Sequence, residues 1–540
     1  MTEKTVLILG AGLMQEPAIQ AAKNLGFAAA VVDADAGAPC AGAADFFSAI
    51  DLKDKEGILE YARRLQTERG LCAVFTAGTD FSASVSYVAE KLSLPCHSYE
   101  AALNASVKDR MRGCFERAAV PSPHFISLRG DAAIPDDLQL PLVVKPVDNM
   151  GARGCRLARN RDELYAAVAA ARRYSRSATV IIEDYMEGRE FSIDALVYNG
   201  AMTITGFADR HIRFPPYFIE TGHTLPSAVS EDERRALIAV FALGVKALGL
   251  TNGAAKADIK LTPSGPAIGE IAARLSGGYM SGWTFPYASG LNLTEQGILI
   301  AAGLRPERLE AMRVPIPFKP PTSCCGREKP FELFEIPCAA VSAERAWISI
   351  PGKIRSIEGI SEAEMAPDVR HVFLRPAVKA GSDVDFPRNN VEKCGNVIAS
   401  SASNAAVERA EDAVRKVFLR LEPNNERTEA FLAGRQLQDE AGFPPYAFAA
   451  YEDLDAIDLS GEIGENQSAI ASAPDAVLHL LREPSRDWTY STALAAAERF
   501  DAEYKNHPAL PKERFWRALF RGGFQAAAYV ADSASKLERK

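Results

Sequence analysis

The sequence predicts a multidomain chain that is α/β at its start and α+β beyond, with a second small α/β lobe and a helical tail. Two observations predict it. Strand and helix alternate over the first hundred residues, the grammar of a parallel doubly wound sheet. Strands joined by short turns follow, the grammar of an antiparallel one. The 540 residues amount to roughly three to four domains.

Composition narrows the function classes. With 47% hydrophobic and 24% charged residues the chain is ordinary globular protein, not collagen-like, low-complexity or wholly disordered. A net charge of −9 repels a phosphate backbone, so no nucleic-acid partner is expected. Leu237 to Leu250 is the longest apolar stretch, but it is too short for a span and contains Lys246. The apolar run Val6 to Gly10 after Glu3 and Lys4 is too short for a signal peptide. The nine cysteines have no CxxC spacing, and only Cys324 and Cys325 adjoin. They read as structural thiols of a cytoplasmic protein, with no membrane partner.

In chain order, Val6 to Leu9 is a strand ending in Gly10-Ala11-Gly12. Helix Pro17 to Leu25 and strand Ala28 to Val32 follow, and Asp33 closes the unit. Gly-x-Gly with Asp33 near a ribose position invites a dinucleotide. However, the third glycine is missing, since Gln15, Glu16 and Pro17 stand there, so a scaffold turn near another ligand is the better reading. Leu71 to Phe75 is a strand running into Thr76-Ala77-Gly78-Thr79-Asp80 and helix Phe81 to Leu92.

Ala105 to Ala119 reads as one helix with Lys108 in its first turns. Strand Leu142 to Lys145 leads to a glycine-containing loop, Asp148 to Gly154, and then to helix 162–172. Thr179 to Glu183 and Glu190 to Tyr198 read as neighbouring antiparallel strands. Asp209-Arg210-His211 and Glu220-Thr221-Gly222-His223 read as a proline-flanked loop. A long helix, Glu231 to Leu248, precedes strands Ala254 to Leu261 and Ala267 to Ala272 around the turn Thr262 to Pro266. This hairpin opposes Asp258 and Glu270, a pairing of like charges that is unfavourable without a cation between them.

Residues 306–322 are proline-rich and read as a boundary or crossover. Mixed strands occupy 335–400, and helix Ala405 to Leu419 follows. From 423 onward the chain is alanine-rich and helix-prone, and residues 452–465 hold six acids without Lys or Arg.

Lys108, Lys145, the loop 148–154, Glu183, Glu190, Asp258, Glu270 and Arg274 come in an order that resembles the ATP-grasp superfamily, over roughly residues 5 to 420. The resemblance is to carboxylate–amine ligases of the biotin-carboxylase-like and L-amino-acid-ligase-like kind. It implies a Rossmann-like pre-ATP-grasp domain over 1–102, a two-lobed ATP-grasp domain over 103–305 and a C-terminal lobe over 306–422. The remaining 423–540 is a helix-rich extension for which a lid, a homo-oligomerisation surface and a partner-binding module stay open.

The resemblance also implies ATP and Mg²⁺ (or Mn²⁺), with small-molecule carboxylate and amine substrates. It places Lys108 and Lys145 on the α- and β-phosphates, and makes the loop holding Asn149, Gly151 and Gly154 a flap over them. The linker Glu183, Asp184, Tyr185 and Met186 would receive adenine, Glu183 accepting from its amine, and Glu190 would take the ribose. Asp258 and Glu270 would hold the metal. Arg274, followed by Ser276-Gly277-Gly278, would meet the γ-phosphate and carboxylate as a catalytic group, with Glu220 or His223 accepting the amine's proton. The family's Glu-x-Asn-x-Arg is here Glu270-Ile271-Ala272-Ala273-Arg274, so one metal ligand is missing. Bicarbonate activation and a non-catalytic nucleotide-binding subunit are the alternatives, and Ala272 favours the second.

Overall fold

The computed structural model describes residues 4–435 and 442–537. They form two compact units, Met1–Ala343 with Ser400–Ser403, and Glu344–Ala399 with Asn404–Lys540. The chain passes from the first to the second within the strand Val341–Trp347.

The first unit opens with a four-stranded parallel sheet in the order Phe46–Ala49, Ala28–Asp33, Thr5–Leu9, Leu71–Phe75. Alternate residues of the buried strands feed opposite faces, Val6 and Ile8 into one core and Leu7 and Leu9 into the other. The loops that leave these strands' carboxyl ends, 10–15 and 76–80, approach the site.

The next layer is a four-stranded antiparallel sheet: Phe125–Arg129, Thr179–Asp184, Leu142–Pro146, Arg156–Ala158. The helix Arg161–Tyr174 covers it, burying Leu164, Ala167, Val168 and Ala171 against Leu142, Val144, Val180 and Ile182. The loop 147–155 is the connection between its last two strands.

A larger antiparallel sheet carries the floor of the site, in the order Gly265–Ala272, Gly253–Thr262, Arg189–Tyr198, Ala201–Arg213, Ile219–Leu225. Beneath it packs the helix Glu231–Leu248, with a Ser230/Glu233 capping box and left-handed Gly249 at its end.

Three sequence expectations are corrected here. Ala105 to Ala119 is not one helix: Tyr99–Ser106 and Lys108–Arg117 are separated by extended Val107, and the Lys108 amide donates to Val147 O at 3.0 Å. Thr179–Asp184 and Arg189–Tyr198 do not pair, because 185–188 carries the chain from one sheet to the other. Gly188 (φ +139°) makes this crossing possible: a Cβ there would lie 2.1 Å from Leu261 O. Residues 209–213 and 219–225 are not a loop but paired strands, Arg210 opposite His223, with the prolines at the hairpin tip.

In the second unit Gly352–Glu358 pairs with Asp383–Val384 and Phe418–Leu421, and Val369–Leu374 pairs with Gly395–Ser401. The tail is part of this unit. From its long helix, Lys512–Leu537, Gln525 Nε2 donates to Leu419 O at 2.9 Å and to Ser349 Oγ at 2.7 Å. Asp532 accepts from Arg420 at 2.7 and 2.8 Å. That helix breaks at Gly522–Gly523, where the Gly523 φ is +64° and a Cβ would lie 2.6 Å from Asp487 Oδ2.

Candidate active site

The hairpin of the floor sheet sets the centre of the site. Its register places Asp258 directly opposite Glu270, as the sequence predicts. Lys108, now the first residue of its helix, points to the same place, with Nζ 3.9 Å from Glu270 Oε1 and donating to Asn149 O at 2.7 Å. Burial would raise the pKa of Glu270, but the nearby cations, Lys108 foremost and then Lys256 and Lys145, together lower it. Arg112, one helical turn after Lys108, was not anticipated, although the i,i+4 spacing puts both on one face. It is 2% exposed and donates to Glu183 Oε1 at 2.7 Å and to Gly269 O at 2.6 Å.

Lys145, next to last in its strand, has Nζ 2.7 Å from Glu183 Oε2. Glu183 is therefore clamped between Arg112 and Lys145. Burial alone would raise its pKa, yet the two cations hold it at about 2. The oxygens of Glu183, expected to accept from adenine, accept here from Arg112 and Lys145. The linker is likewise partly committed. Asp184 N donates to His124 O at 3.1 Å, Tyr185 N to Pro141 O at 3.3 Å, and Met186 O accepts from Lys260 Nζ at 3.0 Å. The Lys260 ammonium also lies 5.1 Å over the Tyr185 ring.

The loop 148–154 is anchored at its start by Asp148, which accepts from Ser175 Oγ and from the amides of Arg176 and Ser177 at 2.8–3.0 Å. Burial opposes ionisation of Asp148, but these bonds prevail and lower its pKa. Asn149 Nδ2 donates to Tyr174 O at 2.8 Å, and Gly151 and Gly154 have φ of +67° and +71°. At Gly154 a Cβ would lie 2.9 Å from the Tyr174 side chain. Cys155, at the loop's end, has its thiol pushed up to about 11 by burial.

Arg210 is the hub of the other half. Its guanidinium pairs with Glu190, with Glu220 Oε2 at 2.9 Å and with Asp258 Oδ2 at 3.4 Å. Desolvation would ease its deprotonation, but the three carboxylates raise its pKa further. Lys260 Nζ lies 3.4 Å from Glu190 Oε2. Asp258 also takes Lys256 Nζ at 2.5 Å and Ser192 Oγ at 3.1 Å. Burial would raise the Asp258 pKa; Arg210 and Lys256 together lower it. Lys256 was legible in principle, since residues two apart share a strand face. Arg210 was not, because its partners come from three other strands.

His223 is fully buried, with Nε2 3.5 Å from Glu220 Oε2. Both face Gly278, whose Cβ position is 2.8 Å from Glu220 Oε1 and 3.6 Å from His223 Cε1. Arg274 donates to Leu275 O at 3.0 Å and begins this loop. Two features grip the loop. Asp194, fully buried, accepts from Ser276 N at 3.0 Å and Ser276 Oγ at 2.7 Å, and burial raises it to about 6. From the parallel sheet, Gly78 N donates to Leu275 O at 3.1 Å, and a Cβ on Gly277 would lie 3.2 Å from Gly78 Cα.

The glycine turn of the first sheet is held by side-chain bonds to the backbone. Asp33 Oδ2 accepts from Ala11 N at 2.8 Å and Oδ1 from Asp35 N at 3.0 Å. Gln15, where a third glycine would stand, bonds both the carbonyl and the amide of Ala77.

Asp258 and Glu270 are hard oxygen donors that fit a divalent cation. Among the described residues no three His, Cys, Asp or Glu side chains gather to hold a metal. No helix among the described residues is long and apolar enough to cross a membrane.

Residues 138–282 match the ATP-grasp domain, and residues 346–422 match the L-amino acid ligase C-terminal domain 2. The chain is 26% identical to carnosine synthase 1 of Gallus gallus over 335 residues, 56% of this chain and 36% of that one. It is 25% identical to alanine–anticapsin ligase of Bacillus subtilis over 251 residues, 42% of this chain and 53% of that one. The chain thus spans from about a third to about half of the curated relatives it matches. The L-amino acid ligase of Bacillus licheniformis shares the fold, with a TM-score of 0.65 at 19% identity over 78% of this chain and all of that one.

Proposed function

We propose that the chain is an ATP-dependent ligase that activates a small-molecule carboxylate as an acyl phosphate and joins it to an amine. Supporting this is one observation above the rest: residues from separate stretches bring alternating charges together, Lys108 Nζ 3.9 Å from Glu270 Oε1, Asp258 opposite Glu270 on the next strand, and Lys145 Nζ 2.7 Å from Glu183 Oε2. An acidic protein has assembled a compact cluster of alternating charges where a triphosphate and its metal need one.

The substrate carboxylate oxygen attacks the γ-phosphorus, the bond to the β-phosphate oxygen breaks, and ADP leaves. The amine then attacks the acyl carbon, the C–N bond forms and phosphate departs. Arg274 pairs with the carboxylate and the transferring phosphoryl group, where a planar guanidinium matches two oxygens. Lys108 and Lys145 neutralise the phosphates, Lys145 held ready by Glu183. Glu220, steered by Arg210 and backed by His223, takes the proton the amine loses. Glu270, with Asp258 opposite it, would hold Mg²⁺, which would draw charge from the phosphates.

Carboxylate–amine pairs scored for phosphate release identify the substrates, and ¹⁸O in the carboxylate then tests the chemistry. Transfer of ¹⁸O into phosphate with ADP as co-product is expected; AMP and pyrophosphate would refute the reading.

A further inference from the structure

Four residues of the floor hairpin form a square. Lys256 and Asp258 share one face of their strand, and across the hairpin Lys256 stands opposite Ala272 while Asp258 stands opposite Glu270. The two carboxylates are not equivalent. Asp258 Oδ2 has Lys256 Nζ at 2.5 Å and Arg210 Nη1 at 3.4 Å, and its Oδ1 accepts from Ser192 Oγ at 3.1 Å. Among the described residues Glu270 has one cation within ion-pair distance, Lys108 at 3.9 Å, and its side chain is 36% exposed against 15% for Asp258. Ala272, on the Glu270 face, brings a methyl group and no ligand.

We propose that this site takes one divalent cation with the nucleotide, on the Glu270 side, and that Lys256, seated opposite Ala272, permanently supplies the charge a second ion would bring to Asp258. The inference rests on the nucleotide reading above. A magnesium ion bonds oxygen at about 2.0–2.1 Å in a near-octahedral shell. Placed on Asp258 Oδ2, it would come within about 4 Å of the Lys256 ammonium, in a buried setting where water screens like charges poorly. The ammonium is tethered, so it is in place before any nucleotide arrives. The small residue at 272 completes the arrangement. Cross-strand partners have Cβ atoms about 4.5–5.5 Å apart, so an Asn amide there would compete with the lysine for the same space.

The test counts metal in the full chain. Saturated with Mn²⁺ and the non-hydrolysable AMPPNP, the complex is weighed by native mass spectrometry and read by EPR. One Mn²⁺ per chain with the spectrum of an isolated ion is expected. Two Mn²⁺ per chain with a spin-coupled spectrum would overturn the inference while leaving the nucleotide reading intact. A chain that retains no AMPPNP overturns both. Ala272→Asn alone should stay at one ion, whereas Lys256→Met combined with Ala272→Asn should rise to two. A double variant with unchanged melting that still carries one ion removes Lys256 from this role.

Discussion

Glu183→Gln takes away the anion between two buried cations. In the native protein Oε1 accepts from Arg112 Nε and Oε2 from Lys145 Nζ, each at 2.7 Å, and the Glu183 and Arg112 side chains are both 2% exposed. At charge separations near 4 Å and an effective dielectric of about 20, each contact contributes about 4 kcal/mol, offset by desolvation of the carboxylate. Glutamine keeps the shape and one acceptor but leaves Arg112 and Lys145 facing each other uncompensated. Removing one partner from a buried pair costs about 3–5 kcal/mol. The melting of the Met1–Ala343 unit should therefore fall by roughly 6–20 °C, at about 2–4 °C per kcal/mol. Since the cations hold Glu183 at about 2 against an ordinary 4.5, its contribution is complete above pH 4.5 and is lost as pH falls toward 2. The deficit of the variant, measured by calorimetry, should shrink over that window. A loss below about 1 kcal/mol, together with weakened nucleotide binding, would show the carboxylate facing adenine and refute the clamp.

Three further outcomes follow from the same geometry. Arg274→Lys keeps a charge but loses the planar fork, so turnover should fall while nucleotide affinity holds; full turnover would remove Arg274 from the reaction. His97 is fully buried, with Nδ1 accepting from Thr251 and Asn252 amides and Nε2 donating to Ala254 O, and burial pushes it down to about 4. The unfolded chain gains a proton below about pH 6.5 that the folded one refuses. About 3 kcal/mol of stability present above pH 6.5 is thus lost as pH falls to 4, and His97→Asn should flatten that slope in urea titrations at several pH values. Cys155, its thiol at about 11, should resist iodoacetamide at pH 8 while exposed Cys325 reacts; mass-mapped alkylation of Cys155 at an equal rate would contradict that shift.

What the sequence determined by itself is local and periodic. Strand Thr5–Leu9, helix Glu231–Leu248 and the hairpin around 263–264 were legible because apolar spacing, caps and turn residues act over a few positions. The opposition of Asp258 and Glu270 was legible too, since a tight turn sets the register of its own two strands. The tertiary structure decided which charges meet. Arg112 and Glu183 lie 71 residues apart, and Arg210 reaches carboxylates on three other strands, so no window of sequence contains either cluster. It also decided where neighbouring elements go. Glu183 and Glu190, read as one hairpin, belong to different sheets, and residues 209–225, read as a loop, are strands whose polar faces line the site. The physical reason is the same in each case: a buried charge takes its place from the partners that compensate its lost hydration, and those partners are supplied by strand order in space.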